Sequence, residues 1–240
     1  MRLAIFGDVH GNRFALEAVL NDIRQAAPDA VFNLGDSVWG AADPAGAWAL
    51  QAERAPVTVR GNTDERVAGM REGKETMRSW LLDQLPADVP GTLAALPTFV
   101  DTAEGEVRLA HGSPRSPWED LLLTEEGGHT RPAHFREIRE RLGDFTHDAG
   151  GRVCVVGHTH HEMLSVVNGV TVVNAGPVSR QKDGLPLARW VLLTRRNGTW
   201  AVEFRRTVYD VGAAAAWARQ HALKGMGEDE AQWLTEGREP

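Results

Sequence analysis

Short apolar runs, alternating with stretches of helical periodicity, set the order of elements along this chain. Leu3-Ala4-Ile5-Phe6 has the length and composition of a buried strand, and Phe14, Leu16, Val19, Leu20 and Ile23 then recur at helical spacing before Pro28. Ala30-Val31-Phe32-Asn33-Leu34 repeats the strand, and a turn from Gly35 to Gly40 leads into a helix near Pro44 to Glu53. Val57-Thr58-Val59 supplies a third strand. Repeated strand-helix units predict parallel pairing with helices on the sheet faces. Residues 65–97 change character: Met77, Trp80, Leu81, Leu82 and Leu85 predict one helical segment, followed by Pro-punctuated connections.

Farther on, the pattern favours hairpins. Thr98 to Thr102 and Val107 to Ala110 are strand-like runs joined by Ala103-Glu104-Gly105-Glu106. Residues 113–151 are polar and rich in Gly and Pro, with one helix expected at about 132–142; they read as loops and a helix overhanging the strand ends. Strands follow at Val153 to Val156, Leu164 to Val167, Val170 to Val173, Arg189 to Thr194 and Thr199 to Thr207. Asn168-Gly169 and Asn197-Gly198 are tight-turn pairs, and these late hairpins predict a second sheet. Val211 to Leu223 is Ala-rich and helical, whereas 224–240 is weakly specified and expected to fray.

The 240 residues suit a single α/β domain, with cap elements at 65–97 and 113–151. A formal net charge of -7 argues against general nucleic-acid binding, which rests on Lys and Arg neutralising phosphates, but leaves room for a local basic pocket. Strand-like sequence from Arg2 onward leaves no space for a secretory leader, and no apolar run is long enough for a membrane span, so the expected location is cytoplasmic. The one cysteine, Cys154, sits inside Val153-Cys154-Val155-Val156 and is expected to be buried rather than redox-active. The oligomeric state leaves no signature in the sequence.

Five of the apolar runs are followed by candidate metal ligands: Asp8 and His10, then Asp36, Asn62, His111, and His158 with His160. Strand ends meet at one edge of a sheet, so these seven residues can converge. Asp8-Val9-His10 and His158-Thr159-His160 each place two side chains on one side of an extended segment. Either pair alone is weak evidence, because His is often a hydrogen-bonding loop residue. Their common position after strands, with Gly7, Gly35, Gly61, Gly112 and Gly157 beside them, makes coincidence hard to defend. The donors are oxygen and nitrogen without sulfur, a set for hard or borderline divalent ions, and large enough for two if one carboxylate is shared.

Gly7-Asp8-Val9-His10-Gly11-Asn12, Gly35-Asp36, Gly61-Asn62, His111-Gly112 and Gly157-His158-Thr159-His160 together resemble the ordered signature of the calcineurin-like metallophosphoesterases. Val59-Arg60-Gly61-Asn62-Thr63-Asp64, His111-Gly112-Ser113-Pro114-Arg115 and Val173-Asn174-Ala175-Gly176 resemble its smaller bacterial phosphodiesterase branch. The resemblance implies an α/β fold in four layers, α-β-β-α, with two mixed sheets flanked by helices and a two-metal site at the strand ends. It assigns one metal to Asp8, His10 and His160, the other to Asn62, His111 and His158, and the bridge to Asp36. The implied reaction is in-line attack on phosphorus by a hydroxide shared between the metals, with no further catalytic side chain assigned. Mn²⁺ is favoured, with Fe²⁺, Zn²⁺, Co²⁺ or Ni²⁺ as alternatives.

Two positions depart from the family pattern. Many relatives follow the metal-binding Asn with a His that protonates the leaving group, and carry an Asp three places after the bridging Asp; this chain has Thr63 and Trp39 there. Threonine is no acid near neutral pH, so poor leaving groups would depart unaided, which shifts the expectation from protein phosphatase or phosphomonoesterase towards phosphodiester hydrolysis. The expected substrate is a nucleotide or other small phosphate ester. Asn62 and Arg115 are substrate-binding candidates, with a loop-stabilising ion pair as the alternative for Arg115. Arg180 is a weaker candidate. Trp39, Trp118, Trp190 and Trp200 are expected to pack rather than to stack on substrate. His161 is left unassigned because it should face away from the pair, and His129, His134, His147 and His221 are expected to be polar loop or helix residues. Two readings rank lower. A non-catalytic protein-binding scaffold on this fold would not require all seven ligands, and a Rossmann-like nucleotide binder would need a glycine fingerprint or phosphate-loop Lys that is absent after the first strand.

Overall fold

The computed structural model describes residues 1–54, 56–146 and 150–240. The chain begins with β1 (Arg2–Phe6), α1 (Arg13–Ala26), β2 (Ala30–Asn33), α2 (Pro44–Arg54) and β3 (Val57–Thr58). Three helices follow, α3 (Asn62–Val67), α4 (Glu75–Gln84) and α5 (Val89–Ala94), then strands β4 (Phe99–Thr102), β5 (Val107–Ala110), β6 (Leu123–Glu126) and β7 (His129–Pro132). The remainder is α6 (Phe135–Leu142), β8 (Val153–Val156), β9 (Glu162–Val167), β10 (Val170–Ala175), β11 (Ala188–Arg196), β12 (Thr199–Thr207), α7 (Val211–His221) and α8 (Met226–Glu236).

Two five-stranded sheets result, ordered β12-β11-β1-β2-β3 and β4-β5-β8-β10-β9. In the first, β1, β2 and β3 run parallel and β11 and β12 antiparallel to their neighbours; in the second, β5, β8 and β10 are parallel and the outer strands antiparallel. Both sheets are therefore mixed. Alternation of side chains along each strand sorts them into layers. Leu3, Ile5, Val107, Leu109, Val153, Val155, Val191 and Leu193 meet between the sheets. Ala4, Phe6, Trp190 and Leu192 face α1 on one outside, where Ala15, Leu16, Val19 and Ile23 form its buried stripe. Ala110, Cys154, Val156 and Val172 face Ile138 and Leu142 of α6 on the other.

Local chemistry explains the boundaries. α1 starts where Asn12 accepts a hydrogen bond from the Ala15 N–H at 3.0 Å and stops at Ala27, in the left-handed conformation, before Pro28. The Asn168-Gly169 and Asn197-Gly198 pairs have positive φ at both residues, as the two-residue turns of β9-β10 and β11-β12 require.

The structure departs from expectation in several places. β3 is two residues long, at the sheet edge. Residues 65–97 hold α5 as well as α4, with Pro90 in its first turn, where proline removes only an N–H that lacks a helical partner. Residues 113–151 contain the hairpin β6-β7 around Gly127-Gly128, and α6 begins only at Phe135. The late strands divide: β9 and β10 join the second sheet, but β11 returns to pair with β1 and carries β12 into the first. The expected fraying tail is instead mostly α8, which buries Glu230, Ala231 and Leu234 and ends on Gly237 in the left-handed conformation. His147 lies outside the described residues. Among the described residues no helix is long and apolar enough to cross a membrane.

Candidate metal centre

All seven candidate ligands follow parallel strands: Asp8 and His10 after β1, Asp36 after β2, Asn62 after β3, His111 after β5, and His158 and His160 after β8. The C-terminal ends of parallel strands leave side chains of successive loops at one edge, and here the edges of both sheets contribute. The loops are tied crosswise. Asp8 and His10 donate their backbone N–H groups to the carbonyls of Gly35 and Asp36, each at 2.9 Å, and the Gly157 N–H reaches the His111 carbonyl at 2.8 Å. Asp8, His10, Asp36, His158 and His160 all take the left-handed backbone conformation, with φ between +47° and +70°. Such strain in non-glycine residues persists only where surrounding structure enforces it, and it commonly marks functional sites. Most of the glycines beside them serve close approach instead: a Cβ on Gly61 would overlap the Asp36 carboxylate.

The donors form two groups. His10 Nε2 and His160 Nε2 lie 3.0 Å apart, and His160 Nε2 is 3.5 Å from Asp8 Oδ1. Asn62 Oδ1 lies 2.9 Å from His111 Nε2 and 3.1 Å from His158 Nδ1. Asp36 stands between: its Oδ2 is 3.5 Å from His10 Nε2 and its Oδ1 3.5 Å from His111 Nε2. Asp8, His10 and His160 are close enough to share one ion, as are Asp8, Asp36 and His111.

The ring tautomers show that this set suits a cation. His10 Nδ1 faces the Trp39 carbonyl at 3.0 Å, His111 Nδ1 the Leu34 carbonyl at 2.9 Å, and His160 Nδ1 the Arg180 carbonyl at 2.6 Å. A carbonyl oxygen only accepts, so each Nδ1 carries the ring hydrogen and a neutral ring offers a lone pair at Nε2. His10 and His160 thus bring their Nε2 atoms to 3.0 Å of each other beside two carboxylates, an arrangement that suits a shared cation. Backbone acceptors behind ring ligands also fix ring orientation.

Electrostatics points the same way. Burial by itself raises Asp8, but the His160 ring, with His111 and His10, outweighs it and holds the carboxyl below the usual range. Burial raises Asp36, with Asp8 adding to it against the pull of His111. His10 is held well below the usual imidazole value by burial and then by His160, and His158 is pushed down to about 3 by burial and then by His111. His111 goes up: burial opposes its protonation, but Asp36, Asp8 and Asp64 prevail. Neutral imidazoles at His10 and His158 and an anionic Asp8 are the protonation states that a metal requires of its ligands.

Arg115 is engaged by Glu119, at 2.5 Å, and by Glu140, at 3.5 Å. Arg180 is paired with Glu230, and its carbonyl holds His160. Trp39 is buried among Val38, Val67 and Trp80, while Trp118 donates its indole N–H to Glu65 at 2.7 Å beneath Arg66 and Arg71. Trp190 is fully buried and donates to Asp22; Trp200 donates to Glu106. His161 is exposed and its ring turns back to the Thr159 carbonyl.

Sequence reasoning passed over two carboxylates. Asp64, fully buried, accepts backbone N–H groups from Asp36, Ser37 and Gly61 at 3.0, 2.9 and 2.8 Å, pinning the Asp36 loop to the Asn62 loop. Burial first and Asp36 second push it up to about 6. Its position two residues after Asn62 was the available signal. Asp120 Oδ1 sits 3.4 Å from His158 Nε2, the ring nitrogen turned away from Asn62, and nothing in its local sequence marks it.

Comparison with known proteins identifies the family and the fold. The model of the calcineurin-like phosphoesterase superfamily domain matches residues 1–197. The chain is similar to the crystal structure of a metallophosphoesterase from Sphaerobacter thermophilus, with 27% identity and a TM-score of 0.75 over 99% of this chain and 100% of the other. Its fold also resembles protein PH1004 from Pyrococcus horikoshii, at 16% identity and a TM-score of 0.76, with 98% of each chain covered. The uncharacterized protein MJ0912 of Methanocaldococcus jannaschii is 24% identical over 238 residues, which cover 88% of this chain and 89% of that one.

Proposed function

Because this chain belongs to the calcineurin-like phosphoesterase superfamily, we propose that it is a metal-dependent phosphoesterase acting on a nucleotide or other small phosphate ester, with phosphodiesters ahead of monoesters. The observation that carries this reading is Asp36, one carboxylate oxygen towards His10 and the other towards His111, between two groups of ligand atoms. Asp8, His10 and His160 would hold one divalent ion, Asn62, His111 and His158 the other, with Asp36 shared. When bound, such a pair supplies Lewis-acid charge for the phosphoryl oxygens and lowers the pKa of water, and Mn²⁺ suits the oxygen and nitrogen donors.

The protein's own groups do the rest. The carbonyls of Leu34, Trp39 and Arg180 keep Nε2 of three rings free for coordination, and the Thr63 N–H fixes Asp36 Oδ1 at 2.9 Å. Thr63 offers no acid, which favours substrates whose leaving group needs no proton. A cavity of about 470 Å³ borders His158, Trp118 and Asp120 and would receive an ester substituent at the centre.

The test is a comparison of bis(4-nitrophenyl) phosphate with 4-nitrophenyl phosphate and phosphoserine, with Mn²⁺ supplied. The diester should turn over fastest and phosphoserine slowest. The reverse order would overturn the diesterase assignment, and no turnover of any of the three, or of dinucleotides, would overturn the enzyme assignment.

A further inference from the structure

Helix α8 lies beyond residues 1–197, the part matched by the superfamily domain, yet it grips the loop behind one of the candidate ligands. Three contacts make this grip. Glu230, 3% exposed, takes the Arg180 guanidinium through both carboxylate oxygens. The Trp233 indole N–H reaches the Gln181 carbonyl at 2.7 Å, with the Arg180 guanidinium 5.1 Å from its ring centre. The Gly184 N–H reaches the Gly237 carbonyl, just past the helix, at 2.8 Å. At its other end the loop is tied to the first strand's turn, where the Val178 and Ser179 N–H groups meet the carbonyls of Gly7 and Asp8, each at 3.0 Å.

What this loop presents to the centre is the Arg180 carbonyl, 2.6 Å from His160 Nδ1. Arg180 holds it there in a left-handed conformation, φ +59°, that a non-glycine residue leaves unless it is restrained. Restraint comes from both sides: from the Val178 and Ser179 ties and the Gln181 side chain's bonds to the Val178 and Leu187 carbonyls, and from α8. We propose that Glu230 and Trp233 are positioning residues of the metal centre: through Arg180 and Gln181 they fix the carbonyl that sets the tautomer and orientation of His160. Arg180 then serves the centre through its backbone, its guanidinium being committed to Glu230. The inference rests on His160 being a metal ligand, as proposed above, and does not depend on which ester is cleaved.

Backbone and carboxylate partners behind a metal-binding imidazole typically account for about tenfold to a hundredfold in metal affinity. Mn²⁺ titration of the full-length protein, read by equilibrium dialysis, should show Glu230→Gln and Trp233→Phe weakening one of two bound ions by about that factor and leaving the other unchanged. In proteins labelled at the imidazole nitrogens, the His160 Nδ1–H resonance should move in both variants while those of His10 and His111 stay. In an Arg180→Met background, Glu230→Gln should add little, because the two act as one unit. Wild-type affinity and an unmoved His160 resonance in both variants would overturn the inference. If Glu230→Gln does not fold, Trp233→Phe decides alone, since it keeps an aromatic ring and deletes the N–H. Should His160→Ala retain both ions at full affinity, the ligand assignment fails and this inference with it; two bound ions without ester hydrolysis would defeat the proposed activity and leave the inference standing.

Discussion

At the scale of single residues, Asp36 and Asp64 matter through which atoms their oxygens face. Asp36→Asn keeps the shape but replaces one oxygen of the proposed bridge with an N–H₂ group that cannot coordinate. Its turnover of a chromogenic diester should fall by about a hundredfold or more, with one ion lost in metal analysis. Asp64 touches no candidate ligand atom; it receives three backbone N–H groups and so sets where Asp36 and Asn62 sit. Its carboxyl moves from an ordinary value of 3.8 to about 6 in the folded protein. The folded chain therefore binds that proton more tightly than the unfolded chain, so the stability linked to Asp64 is largest below about pH 4 and is lost as pH rises through about 6. Urea unfolding with chelator present should show the wild type losing stability relative to Asp64→Asn over that interval. A constant difference would show that Asp64 is not the titrating group.

At the scale of elements, the loops after the strands are assembled by close backbone approach. Gly35 has φ +94° and its missing Cβ would strike the Gly61 backbone; Gly61 in turn abuts the Asp36 carboxylate. Gly61→Ala removes no candidate ligand and leaves every strand pairing intact, yet the added methyl must displace Asp36. Metal content of the purified variant should drop to one ion or fewer with activity falling in parallel, whereas full metal content would refute the packing argument. Among the elements that sequence reasoning missed, α5 and α8 have short apolar stripes and the strands β6 and β7 have none. Strands β6 and β7 read LTEE and HTRP and are largely exposed, so no alternation betrays them; side chains hold them instead, Arg131 on Glu126 and Glu137 and Arg141 on the Leu123 carbonyl. Helix α8 has a short buried stripe that gains stability only once α7 and the 180–184 loop are in place.

At the scale of the whole molecule, the candidate centre joins the two sheets at their edges: Asp8, His10, Asp36 and Asn62 come from one and His111, His158 and His160 from the other. Ions bound there would crosslink the sandwich, so their binding energy becomes folding energy. With Mn²⁺ at about a hundred times its dissociation constant, each bound ion would add about 2.7 kcal/mol. Thermal unfolding should accordingly move several degrees down on addition of chelator and return when Mn²⁺ is restored. An unchanged midpoint would mean that no ion binds the folded protein in preference to the unfolded chain.

The sequence by itself determined the strand-helix order of the first third, the hairpin turns at Asn168-Gly169 and Asn197-Gly198, and the seven donors placed after apolar strands. Each of these follows from local periodicity or from the conformational preference of one or two residues. Only the tertiary structure decided that β11 and β12 return to the first sheet, that Asp64 pins the Asp36 loop, and that α8 reaches back to Arg180. These are pairings between segments distant along the chain, where the identity of each partner depends on what has already packed. No local pattern encodes which of several compatible carboxylates, carbonyls or strand edges a residue will meet; that choice is made by burial, when backbone groups withdrawn from water must each find a partner.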